Sequence, residues 1–373
     1  MKEINIGKII VAKRREKGIT QEDLAAYIGV SKASVSKWET GQSYPDITFL
    51  PQLSAFFNIS IDDLMGYSPQ LTHDDIKILY HRLAADFASK PFVAVIDECQ
   101  TIIKKYYSCF PLLLQMAILF VNHHMLAAEP DTAKEILKNA ATLCQRIRFE
   151  SDDLVLAQEA LTIEGISYLM LNQPEQVIAL VGETVRPLST NTEMLAQAYQ
   201  MAGNPDKARQ VQQISMFQHL LMLVGVAPSY LMLNAANLVR VDAILIRTLG
   251  VAKLYNLDEL HPNTMVQVYY AAAQVYAMNQ NTDKALDYLA SYTHVCISDF
   301  FPFALHGDDY FDAIEPWFED FDLGVGAVRS EAIIKKSMID GLLANPVFDF
   351  IKEDPRFLKL VKQLNEYLKN EGA

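Results

Sequence analysis

Apolar positions in the first 66 residues recur at helical spacing in short blocks, four of the five closed by a glycine. Ile6, Ile9 and Ile10 share one face, with Lys8, Lys13, Arg14 and Arg15 around them and Gly18 as the stop, which predicts a helix over about residues 4–17. Thr20 suits an N-cap for a second helix, Gln21 to Ile28, because its hydroxyl can accept from an otherwise orphaned backbone N–H. Gly29 ends that helix. Ser31 can cap a third, from Lys32 to about Thr40, with Gly41 as the left-handed residue that closes it. A fourth helix is expected from Thr48, which puts Pro51 in the first turn, where its missing N–H costs nothing. It carries Leu50, Leu53, Phe56 and Phe57. Ser60, followed by Asp62 and Asp63, opens a short fifth helix that ends at Gly66.

From Thr72 onward the pattern is helix after helix with no strand alternation, broken at Glu129-Pro130-Asp131, Asn172-Gln173-Pro174 and Gly203-Asn204-Pro205-Asp206. The expected fold class is therefore all-α. A degenerate internal repeat runs through it: Gly165/Tyr168/Val177, Ala196/Tyr199/Ala208 and Ala273/Tyr276/Ala285, with His124/Ala133/Ala140 as a weaker earlier copy. Small residues let paired helices approach, and the aromatic fills the gap beside them. The spacing between the second and third copies leaves room for about two further units, and the stretch from Leu220 to Leu260 fits the repeat poorly. Phe357, Val361, Leu364 and Leu368 fall at helical spacing and predict a terminal helix that seals the array.

At 373 residues, with 51% apolar and 21% charged, the chain is long enough for two or three cored domains. The organisation read from these patterns is a helix-turn-helix module over 1–66, a linker over 67–71 and a helical repeat domain over 72–373. The net charge of −13 argues against a polyanionic partner until its distribution is considered. Residues 1–66 hold eight basic and eight acidic side chains and are neutral, so the whole −13 lies in the remainder. Within 1–45 the balance is eight basic to five acidic, a local basic face on an acidic protein.

The longest apolar run, Pro111 to Val121, is short of a bilayer span, and residues 1–5 carry no secretory pattern, so no membrane partner and a cytoplasmic location are expected. Cys99, Cys109, Cys144 and Cys296 lack paired spacing and read as reduced, buried thiols. His123-His124 reads as a packed or surface pair, since adjacent side chains diverge on a helix and no ligand completes a metal set. The acidic run around Trp317, with Asp308 and Asp309 before it, has no general-acid partner. Gly324-Val325-Gly326 lacks the third glycine and the preceding strand of a dinucleotide site. No cofactor, no metal and no enzyme activity are expected.

Gly18-Ile19-Thr20-Gln21-Glu22-Asp23-Leu24-Ala25, Gly29 through Gly41, Pro45-Asp46 and Asn58 through Leu64 together resemble the lambda-repressor-like (Xre/Cro) helix-turn-helix family. That resemblance implies a five-helix DNA-binding domain whose third helix enters the major groove. By family position Lys32, Ala33, Ser36 and Lys37 would face base edges, while Gln21, Ser31 and Gln42 would hold phosphates. Arg14 and Glu39 occupy positions that in the family often form a partly buried ion pair between helix 1 and the end of helix 3. Residues 72–369 look like a tetratricopeptide-type array, an α-solenoid, and the order of domains is similar to that of Gram-positive peptide-sensing regulators of the RRNPP type. This implies double-stranded DNA and a second copy of the chain as partners, with a peptide or small-molecule effector in the array. Glu193, Gln197 and Gln200 share one stripe, and Gln267, Tyr270 and Gln274 repeat it. With Asn122 and Thr162 they are the expected groove contacts. The competing reading is a protein-interaction scaffold in which the N-terminal module is a tether.

Overall fold

The computed structural model describes residues 5–66, 70–185, 187–298 and 300–370, with side chains through Tyr367. Tyr67, Ser68 and Pro69 of the expected linker, Ile4 and the side chain of Leu368 lie outside the described residues. Among the described residues the fold is all-α, and the β pairing shown is an isolated antiparallel bridge between Ala304 and Gly326.

Five helices, α1 (Ile6–Glu16), α2 (Gln21–Ile28), α3 (Lys32–Glu39), α4 (Leu50–Phe57) and α5 (Ile61–Met65), surround a core of Ile10, Leu24, Val35, Leu53 and Leu64. Their boundaries are set by caps. The Thr20 side chain accepts from the Asp23 N–H while the Asp23 carboxylate accepts from the Thr20 N–H, and Ser60 and Asp63 repeat this reciprocal pair. Helix 4 differs from the expected start at Thr48. Asp46 accepts from the Thr48 N–H and opens a 3-10 turn, Ile47–Phe49, so the α-helix proper begins at Leu50 with Pro51 still in its first turn. The axes of α1 and α3 come very close at Gly7, where an added Cβ would overlap the Trp38 carbonyl oxygen.

The rest of the chain is a helical array in two parts. In the first, α6 (His73–Ser89), α7 (Phe92–Lys105), α8 (Phe110–His123), α9 (Pro130–Glu150), α10 (Leu154–Met170) and α11 (Pro174–Val181) pack in sequence, and a continuous core runs from Ile76 to Ala160. The second contains α12 (Asn191–Met201), α13 (Pro205–Gly225), α14 (Ala227–Leu233), α15 (Leu238–Leu254), α16 (Leu257–Leu260), α17 (Pro262–Met278) and α18 (Thr282–Ile297). The repeat triplets fall on the helix pairs α10/α11, α12/α13 and α17/α18, and Ala196, Ala208, Ala273, Tyr276 and Ala285 are buried where the partners meet. Between α13 and α17 the two expected units are replaced by one irregular hairpin, α14 with α15, and the single turn α16. The Pro205–Leu233 stretch is long and apolar enough to cross a membrane by length and composition. Its Phe217, Leu220, Val224 and Ala227 are buried in a core shared with Met265 and Val268.

A segment without repeat character, 300–330, holds only the short helix α19 (Glu315–Glu319) and ties the two parts together. On one side Tyr80 Oη donates to the Val328 carbonyl at 3.0 Å, His81 Nε2 lies 2.8 Å from the Leu323 carbonyl, and Gln115 Nε2 donates to Asp322 Oδ2 at 2.9 Å. On the other, Gln213 Nε2 donates to the Tyr310 carbonyl at 3.0 Å and Gln213 Oε1 accepts from the Ala313 N–H at 2.8 Å, beside packed rings of Phe217, Phe311, Phe318 and Trp317. The chain ends in α20 (Glu331–Leu343), a 3-10 stretch (Pro346–Ile351) and α21 (Pro355–Asn370). Phe357 and Leu364 of α21 are buried, and the helix packs on α18. All four cysteines are buried, and burial pushes the thiols of Cys99, Cys144 and Cys296 up to about 12.

Candidate nucleic-acid interface and effector groove

The surface around α3 follows from which of its residues the core takes. Val35 and Trp38 are turned inward, so Lys32, Ala33 and Lys37 are exposed on the opposite face and Ser36 is half-buried beside them. Ser31 is occupied as the cap, accepting from the Ser34 N–H at 3.1 Å. Lys32 Nζ lies 3.2 Å from Glu22 Oε2 across the turn, with both side chains well exposed, so the pair opposes Lys32 moving elsewhere by little. Gln42 is exposed, and its backbone N–H is held by the Lys37 carbonyl.

Behind this face is a polar lock. Arg14 donates through Nε to Glu39 Oε1 at 2.6 Å, through Nη2 to Glu39 Oε2 at 3.1 Å, and through Nη1 to the Ile19 carbonyl at 2.8 Å. The side chains are 14% and 6% exposed. Gln21 Nε2 donates to Glu39 Oε2 at 2.8 Å. Gln21, expected at a phosphate, therefore already spends one amide hydrogen inside the domain, and its amino group has one more to offer. Burial pushes the Glu39 carboxyl up, but the donors from Arg14 and Gln21 and the attraction of Arg14 outweigh this and leave it below its ordinary value. The lock joins the ends of α1, α2 and α3 and so fixes the angle at which α3 projects. The Gln21 bond and the Gly7 approach had no part in the sequence reading. Gly7 carried a signal, being a glycine inside an amphipathic helix pattern.

The structure does not bring the eight expected groove residues together around one cavity. A cavity of about 610 Å3 opens between α8, α10, the start of α17 and segment 300–330, and none of the eight lines it. Tyr270 is withdrawn by packing: its hydroxyl donates to the Gly341 carbonyl at 2.7 Å and accepts from Asn345 Nδ2 at 2.9 Å, and its ring meets Tyr292 and Phe348. Asn122, Thr162 and Gln267 bond back to carbonyls of their own helices. Glu193 accepts from Ser215 at 2.7 Å and borders a separate cavity of about 560 Å3, whereas Gln197 and Gln200 are exposed and Gln274 half-buried. The stripe spacing placed residues on a helix face, but it carried no information about segment 300–330, which forms much of the wall of the 610 Å3 cavity.

A family model described as helix-turn-helix matches residues 10–64. The HTH-type transcriptional activator BcrR of Enterococcus faecalis is 41% identical over 59 residues, 16% of this chain and 29% of that protein, so the chain spans under a third of that relative. The HTH-type transcriptional regulator SinR of Bacillus subtilis is 30% identical over 99 residues, 25% of this chain and 89% of that protein. Among solved structures, Bacillus thuringiensis PlcR in complex with the peptide PapR7 and DNA aligns at a TM-score of 0.28 and 13% identity, over 78% of this chain and 94% of that one. The apo form of the competence regulator ComR from Streptococcus vestibularis aligns at 0.25 and 14% identity, over 79% and 92%.

Proposed function

We propose that this chain, which belongs to the helix-turn-helix family of transcriptional regulators, lays α3 in the major groove of double-stranded DNA as one half of a homodimer and couples that binding to an effector held by its helical array. Residues 1–66 are then the DNA-binding module, 67–71 the linker and 72–373 the effector-binding and dimerising part. The reading rests above all on the face of α3: two lysines and a small residue stand exposed at its first two turns, with the polar lock behind them.

In this reading Lys32 and Lys37 donate to guanine O6 and N7, Ala33 touches a thymine methyl, and Ser36 bonds a base edge or sugar. Gln21 uses its second amide hydrogen on a phosphate, and the starts of α2 and α3, with Ser31 and Gln42, supply backbone or side-chain donors to neighbouring phosphates. One module of this size buries too little surface for tight specific binding, so two half-sites about 34–36 Å apart are required. The exposed apolar side chains of α12 to α15, among them Met194, Met201, Leu223, Leu233 and Leu254, favour a second copy covering some of them.

Fluorescence anisotropy with labelled duplex at two salt concentrations tests the DNA half of the proposal. Affinity should fall steeply with salt, and Lys32→Ala/Lys37→Ala should weaken binding to a preferred duplex by about 1–3 kcal/mol per lost base contact and reduce discrimination between duplex sequences. Absence of binding at low salt would refute it and favour the scaffold reading.

A further inference from the structure

A smaller cavity of about 270 Å3 lies where α6, the end of segment 300–330 and the start of α20 meet. Small residues leave the room for it: Ala84 and Ala85 on α6, Gly326 and Ala327 on the segment. Arg329 lines this space, and its guanidinium has no hydrogen-bond or ion-pair partner among the described residues. The backbone is pinned one residue earlier, where the Val328 carbonyl accepts from Tyr80 Oη at 3.0 Å. Burial lowers the Arg329 pKa from its ordinary value, because a cation stripped of water and given no anion is costly to keep.

The neighbours do not supply the missing anion. Burial raises the Tyr80 hydroxyl pKa, so the phenol stays protonated, and burial with the Arg329 charge lowers His123 to about 4, so its ring is neutral. Glu331 lines the cavity too, but it is exposed and its carboxylate lies 3.8 Å from Lys335 Nζ. Ser330, the next residue after Arg329, also borders the space, and its hydroxyl is buried with no partner and makes no cap bond to α20. One unpaired guanidinium fork and one idle hydroxyl thus stand on adjacent residues around the same cavity. A ligand that satisfies both must accept hydrogen bonds and carry negative charge. It must also present several oxygens, since the planar fork engages two side by side and the hydroxyl needs another.

We propose that this cavity binds a small oxyanion of the phosphate class, held by the Arg329 guanidinium and the Ser330 hydroxyl. The bound anion fastens the end of segment 300–330 to the start of α20 at the seam they share with α6. The site stands apart from the DNA-binding and effector readings above and requires neither.

Calorimetric titration of the full chain in chloride buffer, at constant ionic strength, tests it with inorganic phosphate and phenyl phosphate as probes. The tighter of the two should bind with a Kd of about 1 mM or below, and which one it is assigns the ligand to the free ion or to a phosphomonoester. Arg329→Met should weaken that binding by about tenfold or more, and Ser330→Ala by about fivefold or more. Thermal unfolding separates a binding role for Arg329 from a structural one. Without phosphate, Arg329→Met should match or exceed the wild-type midpoint, because it removes an unpaired charge, and phosphate should raise the midpoint of the wild type alone. No binding of either probe at about 10 mM, or equal binding by the wild type and either variant, overturns the proposal. Failure of Arg329→Met to fold overturns it as well, since the guanidinium would then be satisfied within the chain itself.

Discussion

Removing one member of the polar lock should cost the N-terminal module much more than a surface ion pair would. In Glu39→Ala the bonds at 2.6, 3.1 and 2.8 Å disappear together, which strands Arg14 at 14% side-chain exposure and leaves Gln21 one amide hydrogen short. Exposed pairs contribute about 0–1 kcal/mol, whereas breaking a buried pair costs about 3–5 kcal/mol, because the surviving charge has lost its partner and not regained its water. Exposures of 14% and 6% put this pair near the buried limit, so Glu39→Ala and Arg14→Ala should each cost about 3 kcal/mol. The double variant Arg14→Ala/Glu39→Ala removes both charges and should cost less than the sum of the two single changes, with a coupling of about 2 kcal/mol. The chain has two tryptophans, so urea unfolding followed by Trp38 emission in a Trp317→Phe background reads the module directly. Single-variant costs below about 1 kcal/mol, or strictly additive ones, would show that water screens the pair and that something else fixes the angle of α3. Because the Glu39 carboxyl sits below its ordinary value, its contribution is complete above the unfolded carboxylate range and is lost as pH falls through the lower, folded value.

Two further outcomes follow from the packing. Gly7→Ala places a methyl on the Trp38 carbonyl oxygen, a backbone atom that cannot swing away, and should destabilise the module by about 3 kcal/mol or more despite the better helix propensity of alanine; thermal melting against wild type checks it. His123 has no solvent exposure and stacks on Phe87, and burial lowers its pKa to about 4. The unfolded chain therefore binds the proton first, and stability should fall by roughly 3 kcal/mol as pH drops from about 6.5 to 4, a slope that His123→Leu should remove.

The first 66 residues were legible because their signals are local. Thr20, Ser31 and Ser60 announce helix starts and Gly29 and Gly66 announce ends, and the apolar residues between them become the core. The start of α4 was misplaced because Asp46 and Thr48 both suit a cap, and only geometry chooses between them. In the array the small–aromatic–small triplets marked true helix pairs, since close helix contact demands small side chains wherever it occurs. The binding residues expected there were not found around one cavity, for the opposite reason. Gln115, Glu159, Asp322 and Arg329 are brought to a common cavity by a nonperiodic segment, and no pattern within a helix encodes a partner some 200 residues away in the chain. Tyr270 fitted the stripe and was claimed by Gly341 and Asn345 instead.

The tie between α6 and segment 300–330 changes how such a chain can be made. Stacked repeats ordinarily acquire structure in the order in which they leave the ribosome, each leaning on its predecessor. Here Tyr80 waits for Val328 and His73 for Asp322, partners 248 and 249 positions later. At about 5–20 residues per second, the early helices are exposed to the cell for some ten to fifty seconds before their last neighbours exist. A chain released early would be an open half-shell with adhesive walls, and the cost of long-range closure falls on the nascent protein.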